Sequence, residues 1–155
     1  MVETLPVVTV TGITGYIGSW VGLLALQSGK YHVRGTVRST SNAAKLDPLR
    51  AAYGELFERL ELVEADLLDP ESMERAIQGS TYVLHIASPF VIDEPRDENE
   101  LIRPAVEGTL SVLKAAQAAK VRRVCITSSV AAISAKAPED SPEVSDESQW
   151  SDVNW

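Results

Sequence analysis

Three glycines at a spacing of three residues form the first group in this sequence whose types and spacing predict a binding chemistry. Gly12, Gly15 and Gly18 lie in the stretch VVTVTGITGYIG, where a β-branched run typical of a buried strand leads into an apolar helical segment. Glycine here permits a tight turn, close approach of the backbone to a pyrophosphate, and close packing of helix on strand. The amides at the helix start then face the anion. The pattern predicts a dinucleotide site; the alternative is a structural turn without a ligand.

A basic residue lies where the second strand is expected to end. Arg38 follows Val37, twenty residues after Gly18, where proteins selective for NAD(H) usually present a carboxylate to the ribose hydroxyls. A guanidinium forms paired hydrogen bonds with a 2′-phosphate and stacks on adenine, so the sequence favours NADP(H) as the cofactor. Lys45 would add a second positive charge. The alternative for both side chains is solvated surface charge.

Polar and small residues follow the third and fourth expected strands. Asp66 is placed to accept a hydrogen bond from the adenine amino group while the amide of Leu67 contacts the ring; the alternative is a simple loop acid. The run HIASP ends the fourth strand, and its small residues would let the backbone line the cofactor. We expect its histidine, His85, to be a hydrogen-bonded structural residue and assign it no chemistry. No metal site is predicted.

The elements that position these residues follow from an alternation of short apolar runs with segments of helical period. This alternation is typical of stacked βαβ units, and it predicts an α/β, Rossmann-like doubly wound fold with a parallel sheet buried on both faces. Right-handed crossovers give the strand order 3-2-1-4-5. The strands are expected near Val7–Thr11, His32–Val37, Leu60–Glu64, Tyr82–Ile86 and Val124–Thr127.

Helical segments fill the spaces between the expected strands. Ser28-Gly29 is a stop signal for the first of them, and Asp69 before Pro70 is an N-cap signal for the third. The helices are expected from the glycine turn to Gln27, over Ala43–Tyr53, from Pro70 to near Gly79, and over Asn99–Ala119. The helical repeat of the fourth predicts a sheet-facing stripe of Ile102, Val106, Leu110 and Leu113.

The composition is that of a globular domain whose partners are small molecules rather than nucleic acid or a membrane. Of the 155 residues, 45% are hydrophobic and 23% are charged, which is enough to form a core. The formal net charge of −8 lacks the basic surface that nucleic-acid binding requires. No signal peptide and no span of about 18 to 20 apolar residues is found, so a cytoplasmic location is expected. The single cysteine, Cys125, lies in an apolar run and is expected in the core.

The last segment differs from the rest in composition. From Ala137 onward there are six acids, two prolines and two tryptophans, but no lysine or arginine. We expect residues 137–155 to form an acidic surface loop or tail that follows a nucleotide-binding half-domain over 1–136.

Seven motifs follow one another along nearly the whole chain: VTGITGYIGSW, GTVRSTSN, ADLLDPES, HIASP, ENELIRPAVEGTL, RRVCITSSVAAI and DESQWSDV. In this order they resemble the N-terminal half of the dihydroflavonol 4-reductase and cinnamoyl-CoA reductase group of extended short-chain dehydrogenases/reductases. The resemblance implies hydride transfer from NADPH to a small-molecule ketone, aldehyde or acyl thioester. It also implies that the later strands and the substrate lobe of such an enzyme are not in these residues.

The resemblance further implies roles for individual residues. The cofactor would be bound by Gly12, Gly15, Tyr16, Ile17, Gly18, Arg38, Lys45, Asp66, Leu67 and Ala87, with Thr127 and Ser128 near the nicotinamide. Ser129 matches the catalytic serine, whose hydroxyl would hydrogen-bond the substrate carbonyl and stabilise charge as hydride arrives. The alternative for Ser129 is a serine that caps a strand end.

A Tyr-x-x-x-Lys pair, through which members of this group donate the proton and bind the ribose, does not occur in this chain. The residues four positions after Tyr16, Tyr31, Tyr53 and Tyr82 are Trp20, Gly35, Phe57 and Ile86. We therefore expect the isolated chain to be inactive as a reductase. Three functions stay open: the NADP(H)-binding portion of a carbonyl oxidoreductase, a noncatalytic NADP(H)-binding sensor or interaction module, and a structural surface with a vestigial site.

The fifth strand is expected at an edge of the sheet, with no later strand in these residues to pair with it. The acidic tail, a second copy of the chain, or aggregation would cover its free backbone groups. We rank self-association through this edge first.

Overall fold

Parallel strands form the centre of the fold in the computed structural model, which describes residues 4–89, 97–137 and 144–154. The strands are β1 (Val7–Thr11), β2 (His32–Val37), β3 (Leu60–Glu64), β4 (Tyr82–His85) and β5 (Arg123–Ile126). They form one sheet in the order β3-β2-β1-β4-β5, and every neighbouring pair is parallel. The predicted fold class and strand order are confirmed. The only shifts are of one residue, at the end of β4 and at both ends of β5.

In the described residues, four helices connect successive strands close to the predicted positions, and a fifth, which was not predicted, follows the last strand. They are α1 (Tyr16–Ser28), α2 (Ala43–Tyr53), α3 (Pro70–Ile77), α4 (Asn99–Ala118) and α5 (Ala131–Ser134), with a 3-10 helix at Gly54–Arg59. Gly29 ends α1 as predicted, since it has a φ of 65° and its N–H donates to the Leu26 carbonyl. The predicted N-cap of α3 is also confirmed, because the Asp69 side chain accepts a hydrogen bond from the Ser72 amide. Among the described residues no helix is long and apolar enough to cross a bilayer.

The core has two parts. One joins β1 and β2 to α1 and α2, through residues such as Val10, Leu26 and Leu49. The other joins β4 to α3 and α4, through residues such as Met73, Val83, Val112 and Ala115. Each fully buried Val, Leu, Ile or Met side chain contributes about 1.5–3 kcal/mol relative to leaving it exposed, so the sheet is stabilised from both sides. Because helices pack on both faces of the sheet, the strand ends that form the site are held in place.

The predicted sheet-facing stripe of α4 is wrong. Ile102, Val106, Leu110 and Leu113 are between 38% and 52% exposed. The buried positions of α4 are instead Gly108, Ser111, Val112, Ala115 and Ala116. Small residues on this face let the helix approach its neighbours closely, as shown at Gly108, where an added Cβ would lie 2.9 Å from the Leu67 Cβ. Close packing therefore selects the small-residue face of α4 as the interior.

The prediction of a buried Cys125 is also wrong. β5 lies at the edge of the sheet, as expected, and in the described part of the chain β4 is its only strand neighbour. Cys125 and Ile126 are exposed, while Val124 is half-buried. The apolar composition of β5 thus does not lead to burial, because this edge strand is incompletely covered.

The last described segment lies against α5. Residues 144–154 are exposed except for Gln149 and Ser151. The Ser151 amide donates to the Ala132 carbonyl at 2.9 Å, and the Asp152 amide donates to the Ala135 carbonyl at 2.8 Å. Residues 138–143, the centre of the predicted acidic loop, are outside the described residues, so the boundary at 136/137 stays a prediction.

Candidate dinucleotide site

A cavity of about 960 Å³ opens at the carboxyl ends of the strands. It lies at the end of β1, whose neighbours in the sheet are β2 on one side and β4 on the other. Open parallel sheets bind ligands at this point, where the strand order reverses direction. Most of the predicted site residues line it together: Gly12, Gly15, Tyr16, Ile17, Gly18, Arg38, Asp66, Leu67, Ala87, Thr127, Ser128 and Ser129. Lys45 is the predicted site residue that is not part of the cavity wall.

The turn between β1 and α1 has a backbone that requires glycine. Gly12 has a φ of 70°, and an added Cβ would lie 3.0 Å from the Ala87 Cα. The Gly15 amide donates to the Gly12 carbonyl at 2.9 Å, which closes the turn. An added Cβ on Gly18 would overlap this same carbonyl group, whose carbon would be 2.9 Å away. The turn therefore holds the start of α1 tightly against the end of β1.

The start of α1 leaves backbone donors facing the cavity. Gly15 is the N-cap residue, and because it has no side chain it cannot cap the first amides of the helix. The next residues, Tyr16 and Ile17, line the cavity and are exposed. Because the first amides of a helix have no intrahelical partner, those of α1 can bind an anion with the positive end of the helix dipole behind them.

A chain of hydrogen bonds beneath the cavity connects β1 to the segment after β4. The Thr11 hydroxyl oxygen accepts from the amides of Ile86 and Ala87, both at 3.0 Å. Its own proton is left for His85 Nδ1, 2.9 Å away. His85 is thus neutral with its proton on Nε2, which lies 3.4 Å from the Thr109 hydroxyl. Burial lowers the pKa of His85, in agreement with this neutral form and with the predicted structural role.

The two basic residues occupy different positions relative to the cavity. Arg38 follows β2, is exposed, and forms no ion pair with the other described residues. Lys45 lies in the first turn of α2, where its amide is bound by the N-cap residue Asn42. An anion in the cavity would therefore meet Arg38 directly.

Asp66 and Leu67 form the cavity wall after β3. One Asp66 carboxylate oxygen accepts from the Leu68 amide at 2.8 Å, as in an Asx turn. The Asp66 amide donates to the Ser72 hydroxyl at 3.0 Å, so the turn is tied to α3. Asp66 thus stabilises its own turn and also lies at the cavity, and its predicted contact with adenine stays a prediction. The side chain of Leu67 packs against Gly108 of α4.

Ser129 follows β5 and precedes α5. Its hydroxyl oxygen accepts from the Ala131 amide at 3.2 Å, which is a local turn interaction two residues along the chain. Since the oxygen acts as acceptor in this bond, the hydroxyl proton stays available to a ligand. Thr127 continues the pairing of β5, as its amide donates to the His85 carbonyl at 3.0 Å. Ser129 is thereby placed at the cavity by the sheet itself.

Thr36 is a site residue that the sequence analysis missed. It is buried in β2, and its hydroxyl accepts from the Gly12 amide at 3.2 Å. Its carbonyl accepts from the Ile13 amide at 3.4 Å, so both the side chain and the backbone of Thr36 bind the glycine turn. A polar residue inside the otherwise apolar end of a buried strand was the available signal.

Comparison with known proteins agrees with this geometry. The model of the NAD dependent epimerase/dehydratase family matches residues 8–152. Dihydroflavonol 4-reductase of Hordeum vulgare is 41% identical over 150 residues, which are 96% of this chain and 41% of that protein. Cinnamoyl-CoA reductase 1 of Petunia hybrida is 46% identical over 149 residues, 96% of this chain and 43% of that protein.

A solved structure shares the fold. Yeast methylglyoxal/isovaleraldehyde reductase complexed with NADPH superimposes with a TM-score of 0.75 at 28% identity, covering 96% of this chain and 44% of that one. The present chain thus spans about two fifths of the length of the curated relatives it matches. The resemblance drawn from the seven motifs is confirmed. The chain belongs to the NAD dependent epimerase/dehydratase family.

Proposed function

We propose that the chain is the NADP(H)-binding portion of a dihydroflavonol reductase-like, NADPH-dependent carbonyl oxidoreductase. The observation that carries this proposal is the cavity that joins the glycine turn to Arg38, a cation without an ion-pair partner among the described residues. The names of two relatives, a dihydroflavonol 4-reductase and a cinnamoyl-CoA reductase, and a structural neighbour with NADPH support it.

The cavity wall suggests how the cofactor would lie. Its pyrophosphate would bind the amides at the start of α1, close to Gly15. Its 2′-phosphate would bind Arg38, with the adenine near Asp66. The nicotinamide would then reach Ala87 and the residues that follow β5, Thr127 and Ser128 being the predicted contacts. When bound, NADPH would supply the hydride.

Ser129 is the proposed catalytic residue of this chain. Its hydroxyl oxygen accepts from the Ala131 amide, which orients the group and leaves its proton for donation. Donated to a substrate carbonyl oxygen, this hydrogen bond would stabilise the negative charge that develops as hydride arrives. A ketone, an aldehyde or an acyl thioester meets this requirement.

A second candidate is a noncatalytic NADP(H)-binding sensor or interaction module. This candidate requires only the cofactor site and no Tyr-x-x-x-Lys pair, and none occurs within the 155 residues. Without a proton donor, we expect hydride transfer by the isolated chain to be slower by orders of magnitude, even with NADPH bound. Sequencing the source transcript distinguishes the two candidates: a Tyr-x-x-x-Lys segment after residue 155 favours the reductase, and a stop codon there favours the binding module.

The cofactor proposal is tested by calorimetric titration of the 155-residue protein with NADPH and with NADH. We expect NADPH to bind more tightly, and Arg38→Ala to weaken NADPH binding by about tenfold or more, because a charge-assisted contact contributes about 1.5–3 kcal/mol. NADH binding should hardly change. The matched control is Arg59→Ala. It removes an exposed arginine directly before β3, at the amino end of that strand, whereas the cavity lies at the carboxyl ends of the strands. Failure of both nucleotides to bind would refute the proposal and leave only the fold.

We also infer that the edge of β5 is a surface for self-association. Support comes from its position at the sheet edge and from the exposure of Cys125 and Ile126. A parallel sheet edge presents unpaired amides and carbonyls to any strand that approaches it.

A further inference from the structure

The loop from Arg38 to Asn42 is connected to the neighbouring strand by one acidic residue. Glu64 ends β3 and lies beside Val37 of β2 in the sheet register. Its Oε1 accepts from the Thr40 amide at 2.6 Å and from the Thr40 hydroxyl at 2.8 Å. A side chain 24 residues away in the sequence thus binds the middle of the loop that begins with Arg38.

Other hydrogen bonds of this loop are local. The hydroxyls of Ser39 and Ser41 are 2.9 Å apart, and the Ser41 amide donates to the Ser39 hydroxyl. Asn42 accepts from the first turn of α2. Within the described ranges, the hydrogen bonds of residues 38–42 stay inside the loop and α2 except for those to Glu64. The conformation of the loop relative to the sheet therefore depends on Glu64.

The carboxylate of Glu64 faces the loop backbone rather than the arginine. It forms no ion pair with Arg38, although Glu64 is the last residue of β3 and Arg38 directly follows the neighbouring strand β2. Hydrogen bonds from the Thr40 amide, the Thr40 hydroxyl and the Ser39 hydroxyl hold the pKa of Glu64 below its ordinary value. The group is thus an ionised acceptor bound to the loop, and Arg38 keeps its charge for a ligand.

We propose that Glu64 is a positioning residue for recognition of the 2′-phosphate of NADP(H). By binding Thr40 it holds the loop in the conformation that places Arg38 at the cavity wall. This inference rests on the proposed function, since it presupposes that Arg38 binds the 2′-phosphate. It assigns to Glu64 no contact with the cofactor, and a carboxylate in contact with the phosphate would oppose binding.

The test compares Glu64→Ala with Glu64→Gln by calorimetric titration with NADPH and NADH. The alanine variant loses both hydrogen bonds to Thr40, so we expect its Kd for NADPH to rise by roughly tenfold, while its Kd for NADH stays within about twofold. The glutamine variant keeps an acceptor oxygen at the same place. Its NADPH affinity should remain within about threefold of the natural protein, since a neutral acceptor forms a somewhat weaker bond.

Two further variants complete the test. Thr40→Ala removes the hydroxyl but keeps the amide, and an intermediate loss of about threefold is expected. Glu58→Ala removes an exposed carboxylate at the other end of β3 and should leave both affinities unchanged. Thermal unfolding of each variant shows whether the fold is retained; Glu64 is exposed, so retention is expected.

The outcomes separate the inference from the proposed function. If the natural protein binds NADPH with an affinity that depends on Arg38, but Glu64→Ala binds it equally well or more tightly, the role of Glu64 is wrong and the function stands. An equal loss for NADPH and NADH would show a general structural role and also overturn the inference. If the natural protein binds neither nucleotide, both proposals fail.

Discussion

His85 lies beneath the cavity in a position that determines its charge. The residue is 3% exposed, and its Nδ1 accepts the proton of the Thr11 hydroxyl. Protonation of Nδ1 would convert this acceptor into a donor facing a hydroxyl oxygen that already accepts two amides. The neutral imidazole is therefore part of the structure that joins β1 to the segment after β4, including Ala87.

This burial predicts a pH-dependent stability. The pKa of His85 is lowered below 6.5 in the folded protein, so below pH 6.5 the unfolded chain binds a proton that the folded chain does not. The free energy of unfolding should thus fall as the pH decreases below 6.5, by up to about 1.4 kcal/mol per pH unit until the folded pKa is reached. Urea unfolding at pH 7.5 and 5.5 measures the loss.

The two histidines of the chain allow a matched control for that measurement. His85→Gln should remove most of the difference between pH 7.5 and 5.5, whatever its own effect on stability. His32→Gln changes the exposed histidine that binds Glu61 at the other end of the sheet, and should retain the difference. A His85→Gln protein with the same pH dependence as the natural one would show that His85 is not the group responsible.

Residue roles differ in how far the sequence predicts them. Gly12, Gly18 and Arg38 are recognisable because each has a fixed distance from the end of a predicted strand. Thr36 was missed although its polar side chain near the end of a buried strand was a usable signal. Glu64 was missed because its role depends on Thr40, 24 residues away, which no local pattern reveals. The function assigned to each predicted contact stays a prediction until a nucleotide is bound.

At the scale of elements, the packing of α1 on β1 depends on Gly18. A Cβ at this position would overlap the Gly12 carbonyl, which cannot move without opening the turn. Alanine in a helix is normally more favourable than glycine by about 0.5–1 kcal/mol. Gly18→Ala should instead lower the free energy of unfolding by about 1–3 kcal/mol, because the overlap outweighs the helix preference. Urea denaturation gives both the sign and the size.

Gly15→Ala is the control for this prediction in the same turn. Its Cβ would lie 3.3 Å from the Gly12 oxygen, a tight contact that small shifts relieve. Its cost in stability should therefore be clearly smaller, although it would obstruct a pyrophosphate at the helix start. A Gly18→Ala protein as stable as the natural one would contradict the requirement for glycine at the turn.

Elements were predicted more accurately in position than in orientation. The alternation of apolar runs and turn signals predicted the strand bounds to within one residue, and capping residues predicted the end of α1 and the start of α3. For α4, the apolar repeat has the period of a helix but does not say which face is buried. Ala115 and Ala116 are buried while Leu110 and Leu113 are exposed, because the face of α4 that contains Gly108 is the one packed closely against its neighbours.

At the scale of the whole molecule, apolar side chains stay exposed on both α4 and β5 of the described structure. Ile102, Val106 and Leu110 of α4 are each about half exposed, and Ile126 of β5 is 42% exposed. Apolar side chains that recur on one exposed face are a common feature of association surfaces. Separately, β5 has an unpaired strand edge among the described residues, which favours pairing with a second copy.

Self-association of the 155-residue protein is therefore expected to depend on concentration. Sedimentation velocity under reducing conditions should show a larger average sedimentation coefficient as the concentration is raised. Cys125→Lys places a charge in the middle of β5 and should shift the protein towards monomer, since a lysine on an edge strand opposes strand pairing. Val153→Lys makes the same charge change at a site that is 93% exposed and outside the strands, and should have no effect. A natural protein that is monomeric across the whole series would contradict self-association, whereas association that Cys125→Lys leaves intact would exclude the β5 edge and direct attention to the exposed face of α4.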